Sequence, residues 1–589
     1  MRNRLRLTPL VLVVLTLLLT AVALGCAAAT PTPTPRPTPT PTVAAPVATP
    51  TPTATPTPSA PQPQYGGVFG KTTRRDPLSC DSATIGARTG NESNPCHSLY
   101  SRFIRNGYTE TEGYFDLIPE LVTSWEPNAT GDTWTLQLRQ GVMFTHGREF
   151  TAEDAKFTLE RLKLSPSTGR LAALRDGIDS VDILDTYTIQ VNLVRPWAGF
   201  IVQMANPWLL VYPKDPTENV DFQWADPFAV PGSGPFILTV ADRGSRYAAE
   251  RNPDYWDEPF PYLDGWNNLI VPDFETRAAL LETTQVDSSG AQVWPVSIYL
   301  DLRDKPHINS KLIFGNFANG AVLSLDVLPF NDVRVRQAVY LTLDANEVNQ
   351  IVDEGLGIQS HCITGSATDA CTPIEEQKSW AQWADTPEER AQKRQEAKQL
   401  MIDADYPNGF DVTADYGKLC IHDGRSQFLL TTVYLQQVLE EHLNIRCEVR
   451  QVERSQMVEM QRAHDFGFMY GGGARADVSL EGAISTRYLC DSGDNFSGDC
   501  DPVIEDYWDQ ITQELDEARR IQLARELETY YATEHFGPHI LMYEAPYIVQ
   551  WNKRVQDYDP GPGFYHIANH FYANIWIDPA IDPLTGERR

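Results

Sequence analysis

One stretch, residues 117–161, constrains the fold of this chain most strongly, because its structural period changes twice within one compact unit. In residues 133–138, TWTLQL, apolar and polar side chains alternate, which is the two-residue period of a strand with one buried face. Thr151 follows, with Asp154 three residues on, and this spacing predicts a helix N-cap close to a capping box. The stretch therefore predicts strands that lead into an amphipathic helix, as in a mixed α/β fold.

The same stretch carries four short motifs in register. Residues 124–162 contain a SWE strand end, an LRQGVMF strand, a short turn with glycine and a TAED helix start. Together they resemble the signature region of the extracellular solute-binding proteins of peptide/nickel-type ABC transporters, the bacterial family 5 class, which includes dipeptide- and oligopeptide-binding lipoproteins. Residues 232–266, with a GSGPF turn and a hairpin, and residues 329–357, with an RVRQA helix, resemble two further regions of that family.

The resemblance covers nearly all of residues 65–589 and implies a mixed α/β fold of two lobes. This is the periplasmic-binding-protein type II-like, or Venus flytrap, arrangement in its larger form with an extra subdomain. The expected segments are lobe I at 65–322 with the extra subdomain at about 95–230, lobe II at 323–541, and a return to lobe I at 542–589.

The amino-terminal residues 1–25 have the form of a secretory signal, with a basic start, an apolar run and small residues before Cys26. Cys26 resembles the lipidated cysteine of a bacterial lipoprotein, and ordinary signal cleavage with a leftover thiol is the alternative. Residues 26–64 are rich in proline and threonine and predict a disordered, extended tether that builds no core. We therefore expect a periplasmic or cell-surface protein that touches the membrane only through its N-terminal lipid.

The charge of the chain excludes some classes of partner. The formal net charge is −30, so the surface repels nucleic acid and anionic lipid headgroups, and we expect neither as a partner. Hydrophobic residues at 42% and aromatic residues at 10% are values typical of globular proteins, so a packed fold is expected beyond the tether.

Apart from Cys26, the chain has eight cysteines, an even number in a secreted protein. An oxidising compartment favours disulfides over metal binding, and none of the eight forms a C-x-x-C motif. No metal site is therefore expected. Sequence neighbours suggest one connectivity among many possible ones: Cys80 with Cys96, Cys362 with Cys371, Cys420 with Cys447 and Cys490 with Cys500.

The expected ligand-binding segment is residues 466–481, FGFMYGGGARADVSLE. In peptide-binding relatives an aspartate near this place binds the free amino group of the peptide, a charge-assisted contact. The resemblance gives this role to Asp477, although the Trp and the Asp-Pro of that pattern are missing here, so a turn-capping aspartate is the alternative. Arg475 would bind a ligand carboxylate or neutralise Asp477. The other residues expected near the ligand are Tyr470, Gly472, Gly473, Ser233, Gly234 and Tyr543.

Two further segments carry expectations about packing. Residues 540–547 are apolar and predict a strand that returns to lobe I, which would place Tyr543 near the hinge. Arg334 and Arg336 flank the buried face of the RVRQA helix and could form an anion site, but in the family these arginines pair inside lobe II.

The resemblance implies a monomeric binding protein, not an enzyme, that needs no cofactor. It would capture a small solute, a short peptide in the first place, and deliver it to a permease driven by a separate ATPase. A nickel chelate or an oligosaccharide is an alternative ligand, and a surface receptor that senses without transport would share every feature. A secreted hydrolase is the least favoured class, because the chain has no G-x-S-x-G, H-E-x-x-H or C-x-x-C motif.

Overall fold

A computed structural model gives the fold of most of the chain. It describes residues 61–76, 80–81, 96–109, 113–164, 171–214, 228, 230–290, 295–315, 318–365, 369–412, 420–422, 426–470, 480–492, 494–558, 560 and 572–589. The chain divides after Pro61, and Gln62–Arg589 form a compact unit. The predicted signal, Cys26 and nearly all of the predicted tether lie outside the described residues.

The first part of this unit holds an antiparallel sheet of the order β4-β5-β7-β6. Its elements are β1 Val68–Thr73, β2 Ile104–Thr109, β3 Gly113–Pro119, β4 Val122–Pro127, β5 Thr133–Leu138, α1 Ala152–Lys163, α2 Ala172–Gly177, β6 Ile178–Asp185, β7 Thr188–Leu193 and α3 Phe200–Gln203. The alternating residues predicted for β5 bury Trp134, Leu136 and Leu138 against helix α1. The backbone N–H of Thr151 donates to Asp154 Oδ2 at 2.9 Å, which confirms the predicted capping box.

A second sheet has the order β1-β10-β9-β8, with β1 parallel to β10. The elements of this part of the chain are β8 Phe236–Asp242, β9 Arg246–Arg251, β10 Gly265–Ile270, α4 Phe274–Glu282, α5 Val296–Arg303 and β11 Ile308–Ile313. The predicted hairpin is confirmed, because β8 and β9 pair in antiparallel fashion around Gly244.

The rest of the chain builds a six-stranded sheet of the order β13-β19-β12-β18-β15-β17, covered by helices. The strands of this part of the chain are β12 Ala318–Leu323, β13 Ile358–Gln359, β14 Phe410–Asp411, β15 Cys420–His422, β16 Ile445–Arg446, β17 Val449–Gln451, β18 Phe468–Tyr470, β19 His539–Glu544, β20 Tyr547–Asn552, β21 Val555–Gln556 and β22 Trp576–Ile577. Outside the six-stranded sheet, β14 pairs with β16, β21 pairs with β22, and β20 pairs with β11. Its helices are α6 Val333–Thr342, α7 Ala345–Asp353, α8 Ile374–Gln377, α9 Pro387–Asp403, α10 Ser426–Leu443, α11 Arg454–Arg462, α12 Leu480–Ser485, α13 Pro502–Gln513 and α14 Glu517–Thr533.

The chain passes between the two halves twice, from β11 to β12 and from β19 to β20. Strand β20 pairs with β11 on one side, and β19 pairs with β12 on the other. The fold is therefore two-lobed and mixed α/β, as predicted. Residues 540–547, predicted as one strand returning to lobe I, are divided: β19 ends at Glu544 in the six-stranded sheet, and β20 begins at Tyr547.

The predicted lobe boundaries stay predictions, but strands lie across both of them. Residue 322 falls inside β12 and residue 541 falls inside β19, and these strands pair with each other in the six-stranded sheet. The first lobe as predicted would therefore take residues from a sheet that otherwise belongs to lobe II.

The eight cysteines lie in the four predicted pairs. Their Cα atoms are 5.3 Å apart for Cys80 and Cys96, 5.4 Å for Cys362 and Cys371, 6.0 Å for Cys420 and Cys447, and 4.6 Å for Cys490 and Cys500. These separations lie within the range that a disulfide bridges.

Of the two arginines of the RVRQA helix α6, Arg336 is held inside the second lobe, as the resemblance implied, whereas Arg334 is half-exposed. Arg336 is buried and donates to four backbone carbonyls, those of Phe330, Asn331, His535 and Phe536. Arg334 pairs with Asp332 at 2.6 Å. A search of the described residues finds no helix with the length and apolar character that crossing a bilayer requires.

Candidate functional site

One edge of the six-stranded sheet brings together both crossings and the predicted ligand-binding segment. Strands β15 and β18 run parallel, so their carboxyl ends share an edge. Tyr470, the last residue of β18, pairs with Ala321 in the middle of β12, and Ala318, the first residue of β12, pairs with Glu544 at the end of β19. Strand β18 therefore ends on the side of the sheet where the chain crosses between the lobes.

The sheet of the first lobe presents its carboxyl edge at the same crossings. Ser288 bridges Lys71 of β1 in parallel and Trp551 of β20 in antiparallel fashion. Strand β20 therefore runs antiparallel to β1. Its first residue, Tyr547, lies level with the carboxyl end of β1. Ligands of α/β sheets bind outside the carboxyl ends of the strands. Both carboxyl edges therefore lie at the crossings between the lobes, and we take the region between them as the candidate site.

The two crossing segments are joined to each other. The backbone N–H of Gly315 donates to Glu544 Oε2 at 2.6 Å, and Glu544 is buried. Gly315 has a φ of 87°, a left-handed conformation that glycine adopts without strain. Close by, Phe428 of α10 in the second lobe packs against Tyr547 in the first. These contacts make the crossings a defined hinge.

Tyr543 lies at this hinge inside a buried network. Its hydroxyl accepts a hydrogen bond from the Asn319 amide and donates to Asp353 Oδ2 at 2.7 Å. Burial raises the pKa of Asp353 to about 6, and the hydrogen bond from Tyr543 acts in the opposite direction. Because Tyr543 is completely buried, its hydroxyl stabilises the second lobe, and its contact with a ligand stays a prediction.

The GSGPF turn is held by backbone contacts inside the first lobe. The N–H of Gly234 donates to the Leu99 carbonyl at 3.0 Å, and the Ser233 carbonyl accepts from Ser101 Oγ at 2.9 Å. A Cβ on Gly234 would lie 2.5 Å from the carbonyl carbon of Leu99, so only glycine fits. These contacts explain the turn without a ligand, and a cleft role for Ser233 and Gly234 stays a prediction.

The central residues of the predicted site, Gly472, Gly473, Arg475 and Asp477, lie outside the described residues. The structure fixes both ends of their segment, since β18 ends at Tyr470 and α12 begins at Leu480. Among the predicted residues that the structure describes, only Tyr470 and Tyr543 therefore lie at the hinge edge.

Lys71 was missed by the sequence analysis and lies near the carboxyl end of β1. It is 3% exposed, and its Nζ lies 5.1 Å from the centre of the Tyr572 ring. Burial, with a smaller contribution from the charge of Arg277, lowers the pKa of Lys71 to about 7. No hydrogen bond or ion pair of its ammonium group occurs among the described residues. The one feature of the sequence that could have indicated a buried lysine is the position of Lys71 between Phe69 and Thr73, on the buried face of β1.

The described residues contain one group with the spacing of metal ligands. Atoms of Cys362, Cys371 and Glu528 lie within 4.8 Å of one another. The two sulfurs pair with each other, and Glu528 accepts the backbone N–H groups of Ile363 and Thr372. Burial raises the pKa of Glu528 to about 7. This arrangement fastens the disulfide loop and leaves no open ligand position.

The extra subdomain also touches the second lobe away from the hinge. Arg195 pairs with Asp509 at 2.8 Å. The carboxylate of Glu481, held by Arg520 at 3.1 Å, lies so close to Gly199 that a Cβ there would come within 2.4 Å of it. The extra subdomain and the second lobe are therefore in contact through Arg195 with Asp509 and Gly199 with Glu481.

Solved structures with similar folds are solute-binding proteins. A periplasmic binding protein, DppA of Helicobacter pylori, in complex with the peptide STSA has a TM-score of 0.70 at 20% identity, covering 87% of this chain and 99% of that chain. The oligopeptide-binding protein AppA of Bacillus subtilis, in complex with a nonapeptide, has a TM-score of 0.69 at 20% identity, covering 88% and 100%. At this identity the likeness shows the fold.

Curated relatives are similar over shorter stretches. The periplasmic oligopeptide-binding protein OppA of Salmonella typhimurium is 22% identical over 74% of this chain and 80% of that protein. Heme-binding protein A of Haemophilus influenzae is 26% identical over 58% of this chain and 62% of that protein. These relatives differ in the ligand that their names give.

A family model also matches a large part of the chain. Residues 116–495 match the model described as bacterial extracellular solute-binding proteins, family 5 Middle. This range contains the signature region, the GSGPF turn, helix α6 and the segment with Asp477. Because it spans more than half of the 589 residues, the chain belongs to family 5 of the bacterial extracellular solute-binding proteins, the class of peptide and nickel ABC transporters.

Proposed function

We propose that this protein captures a short peptide between its two lobes outside the cytoplasm and delivers it to an ABC permease driven by a separate ATPase. The observation that carries the proposal is the pair of sheet edges facing each other across the hinge, in a member of a solute-binding family. Hinge closure would sequester the solute without changing it chemically, so the protein acts as a carrier and not as an enzyme.

Peptide is the favoured ligand because several similar proteins are described with peptides. Their complexes contain the peptide STSA, a nonapeptide and Met-Leu. In the proposed complex Asp477 binds the peptide ammonium group and Arg475 its carboxylate or Asp477 itself, while Tyr470, Gly472 and Gly473 approach the main chain. A nickel chelate is the second candidate, supported by the similar fold of NikZ from Campylobacter jejuni in complex with Ni(L-His).

The proposed cellular arrangement follows from the amino terminus. Diacylated Cys26 anchors the protein at the outer face of the cell membrane, and the Pro/Thr-rich segment up to residue 64 lifts the lobes away from the lipid. We place the second lobe at residues 318–544, because β12 and β19 belong to its sheet. The protein works as a monomer, so each molecule delivers one solute.

The test uses the purified protein and a pair of peptides. We expect mass spectrometry of the gently denatured protein to release peptides, and calorimetry with a tetrapeptide to give micromolar affinity, about −8 kcal/mol. The N-acetylated tetrapeptide lacks the ammonium group and should bind at least tenfold more weakly to the wild type. Asp477→Asn should remove that difference between the two peptides.

Two results would contradict parts of this proposal separately. If Asp477→Asn still discriminates between the free and acetylated peptides, the assignment of Asp477 is wrong while the ligand class stands. If neither peptide binds and Ni(L-His) does, the ligand class is wrong while the family stands.

A further inference from the structure

Cationic side chains gather at the carboxyl end of β1, the edge of the first-lobe sheet that borders the candidate site. Lys71 lies on β1 itself, Arg74 follows the strand directly, and Arg277 belongs to helix α4. The guanidinium carbons of the two arginines lie beside the same ring, that of Phe274, at 5.1 Å and 5.8 Å from its centre. In a chain with a net charge of −30, this edge concentrates positive charge.

The backbone fixes Arg277 at this edge. Its Nε donates to Thr72 Oγ1 at 3.0 Å, and its Nη2 donates to the Thr72 carbonyl at 3.3 Å and to the Ser289 carbonyl. These acceptors are uncharged, and Arg277 is completely buried. The positive charge of Arg277 therefore acts on the nearby ammonium group of Lys71.

The groups around the Lys71 ammonium in the described part of the chain supply no negative charge. Burial raises the pKa of Tyr572 and that of the neighbouring Tyr558, so both hydroxyls stay neutral. Burial lowers the pKa of His97 to about 3, so its ring is neutral, and Arg277 is a second cation. Lys71 is 3% exposed, and a buried ammonium group without a counterion is costly. An incoming anion would supply the missing charge.

The acidic side chains at the same edge do not serve as that counterion. Asp76 accepts the backbone N–H of Gly244 at 2.8 Å, and Asp273 caps helix α4. Glu275 is exposed to solvent. Among the residues that the structure describes, none of these three acids forms an ion pair with Lys71. The edge therefore keeps a cation available to a ligand.

We propose that Lys71 binds a carboxylate of the ligand, so that the protein prefers peptides that carry an acidic side chain. The inference rests on the peptide proposed above as the ligand, and it adds a contact at the first-lobe edge to those of Asp477 and Arg475. The Lys71 ammonium group donates to the carboxylate, and Arg277 and Arg74 add positive potential. A neutral Lys71 amine takes up a proton as the anion binds.

Calorimetry with the full-length protein tests this preference with two series of tetrapeptides. In one series Glu occupies each of the four positions in turn, and in the other series Gln replaces it. We expect at least one Glu peptide to bind about tenfold more tightly than its Gln counterpart, as a hydrogen bond between charged groups provides. Lys71→Met keeps a long side chain without the charge and should bind the two peptides equally. Lys305→Met removes a charge beside Glu282, at the opposite end of α4, and should keep the preference.

Proton uptake gives a second measurement that needs no variant. The pKa of Lys71 is about 7, so at pH 8 most of its amine is neutral, and a bound carboxylate raises that pKa. Calorimetry in two buffers with different ionisation enthalpies should show that the favoured Glu peptide takes up about one proton more than its Gln counterpart. The peptide amino group is common to both peptides and cancels in this difference. A packing role for Lys71 would leave the two uptakes equal.

Several results would overturn this inference and leave the peptide ligand intact. They are equal binding of every Glu and Gln pair by the wild type, equal proton uptake, a preference that survives in Lys71→Met, and a preference that is lost in Lys305→Met as well. If Lys71→Met does not fold, the proton uptake of the wild type decides. If peptides of neither series bind, the proposed ligand class is wrong and this inference is overturned with it.

Discussion

At the scale of single residues, the buried carboxyl group of Asp353 gives the hinge a dependence on pH. Asp353 is 3% exposed, and no described cation pairs with it. Its pKa is about 6 in the folded protein against an ordinary value of 3.8, so the folded state holds the proton more tightly. The stability that this proton contributes is present in full below about pH 4 and is lost as the pH rises through 6.

We expect Asp353→Asn to remove this dependence. The variant keeps an acceptor for the Tyr543 hydroxyl and cannot ionise, so its stability relative to the wild type should increase by up to about 3 kcal/mol between pH 4 and pH 7.5. Urea unfolding at both values measures the change. Asp304→Asn, at a site that is 82% exposed, is the control and should show almost none. An equal effect of Asp353→Asn at both values would show that the carboxyl group does not titrate in this range.

A substitution at Gly234 tests whether the GSGPF turn serves packing or ligand binding. Gly234→Ala would drive a Cβ into the Leu99 backbone, so we expect a loss of more than about 2 kcal/mol of stability in urea unfolding. Gly244→Ala is the matched control: it has a φ of 74° but open space around its Cβ, and should cost about 1 kcal/mol. Unchanged stability of Gly234→Ala together with weaker peptide binding would instead make the turn part of the cleft.

At the scale of elements, the contact between the subdomain and the second lobe should contribute to ligand affinity from a distance. Arg195 and Asp509 are 42% and 58% exposed, so their pair is worth at most about 1 kcal/mol. If it forms only when the lobes close, Arg195→Glu should weaken peptide binding about fivefold, and Asp509→Arg in the same chain should restore it.

An ion pair inside the subdomain provides the control for this charge reversal. Lys214 and Glu153 are 51% and 55% exposed and do not bridge the lobes, so Lys214→Glu should leave peptide affinity unchanged. Equal weakening by Lys214→Glu would assign the effect of Arg195→Glu to net charge. Failure of the double variant to recover would mean that the Arg195–Asp509 pair does not stabilise closure.

Local elements were predictable from sequence because their signals are local. The capping box at Thr151, the hairpin around Gly244 and the four cysteine pairs depend on residues close together in the chain. The network of Asn319, Asp353 and Tyr543 was not predictable, because the hydrogen bonds join residues 190 and 224 positions apart.

Dependence on residues far apart in the chain also explains why the sequence analysis misassigned one feature of the site and missed another. The carboxyl end of β19 and the start of β20 form one apolar run in sequence, and only pairing with different sheets divides them. Lys71 occupies a position on the buried face of β1 where an apolar residue is the usual choice, and no short motif marks it. The family resemblance supplied the overall fold but could not supply these side-chain contacts.

At the scale of the whole molecule, the hinge predicts a change in size on binding. A compact chain of the length of Gln62–Arg589 has a radius of gyration of about 24 Å. We expect small-angle scattering of a chain that begins at Gln62 to approach this value with peptide bound and to exceed it without peptide. The same curve with and without a ligand that binds in calorimetry would show that the lobes do not move.

Trp197 of the extra subdomain and Trp508 of the second lobe line one cavity from opposite sides of the contact that has to separate when the lobes open. Water would then reach Trp197 and Trp508, and their fluorescence emission would shift to longer wavelengths. The chain has 13 tryptophans, so the signal is isolated by subtracting the spectrum of Trp197→Phe from that of the wild type. The protein therefore carries its own optical reporter of closure, and the rate of lobe movement can be followed by stopped flow without any label.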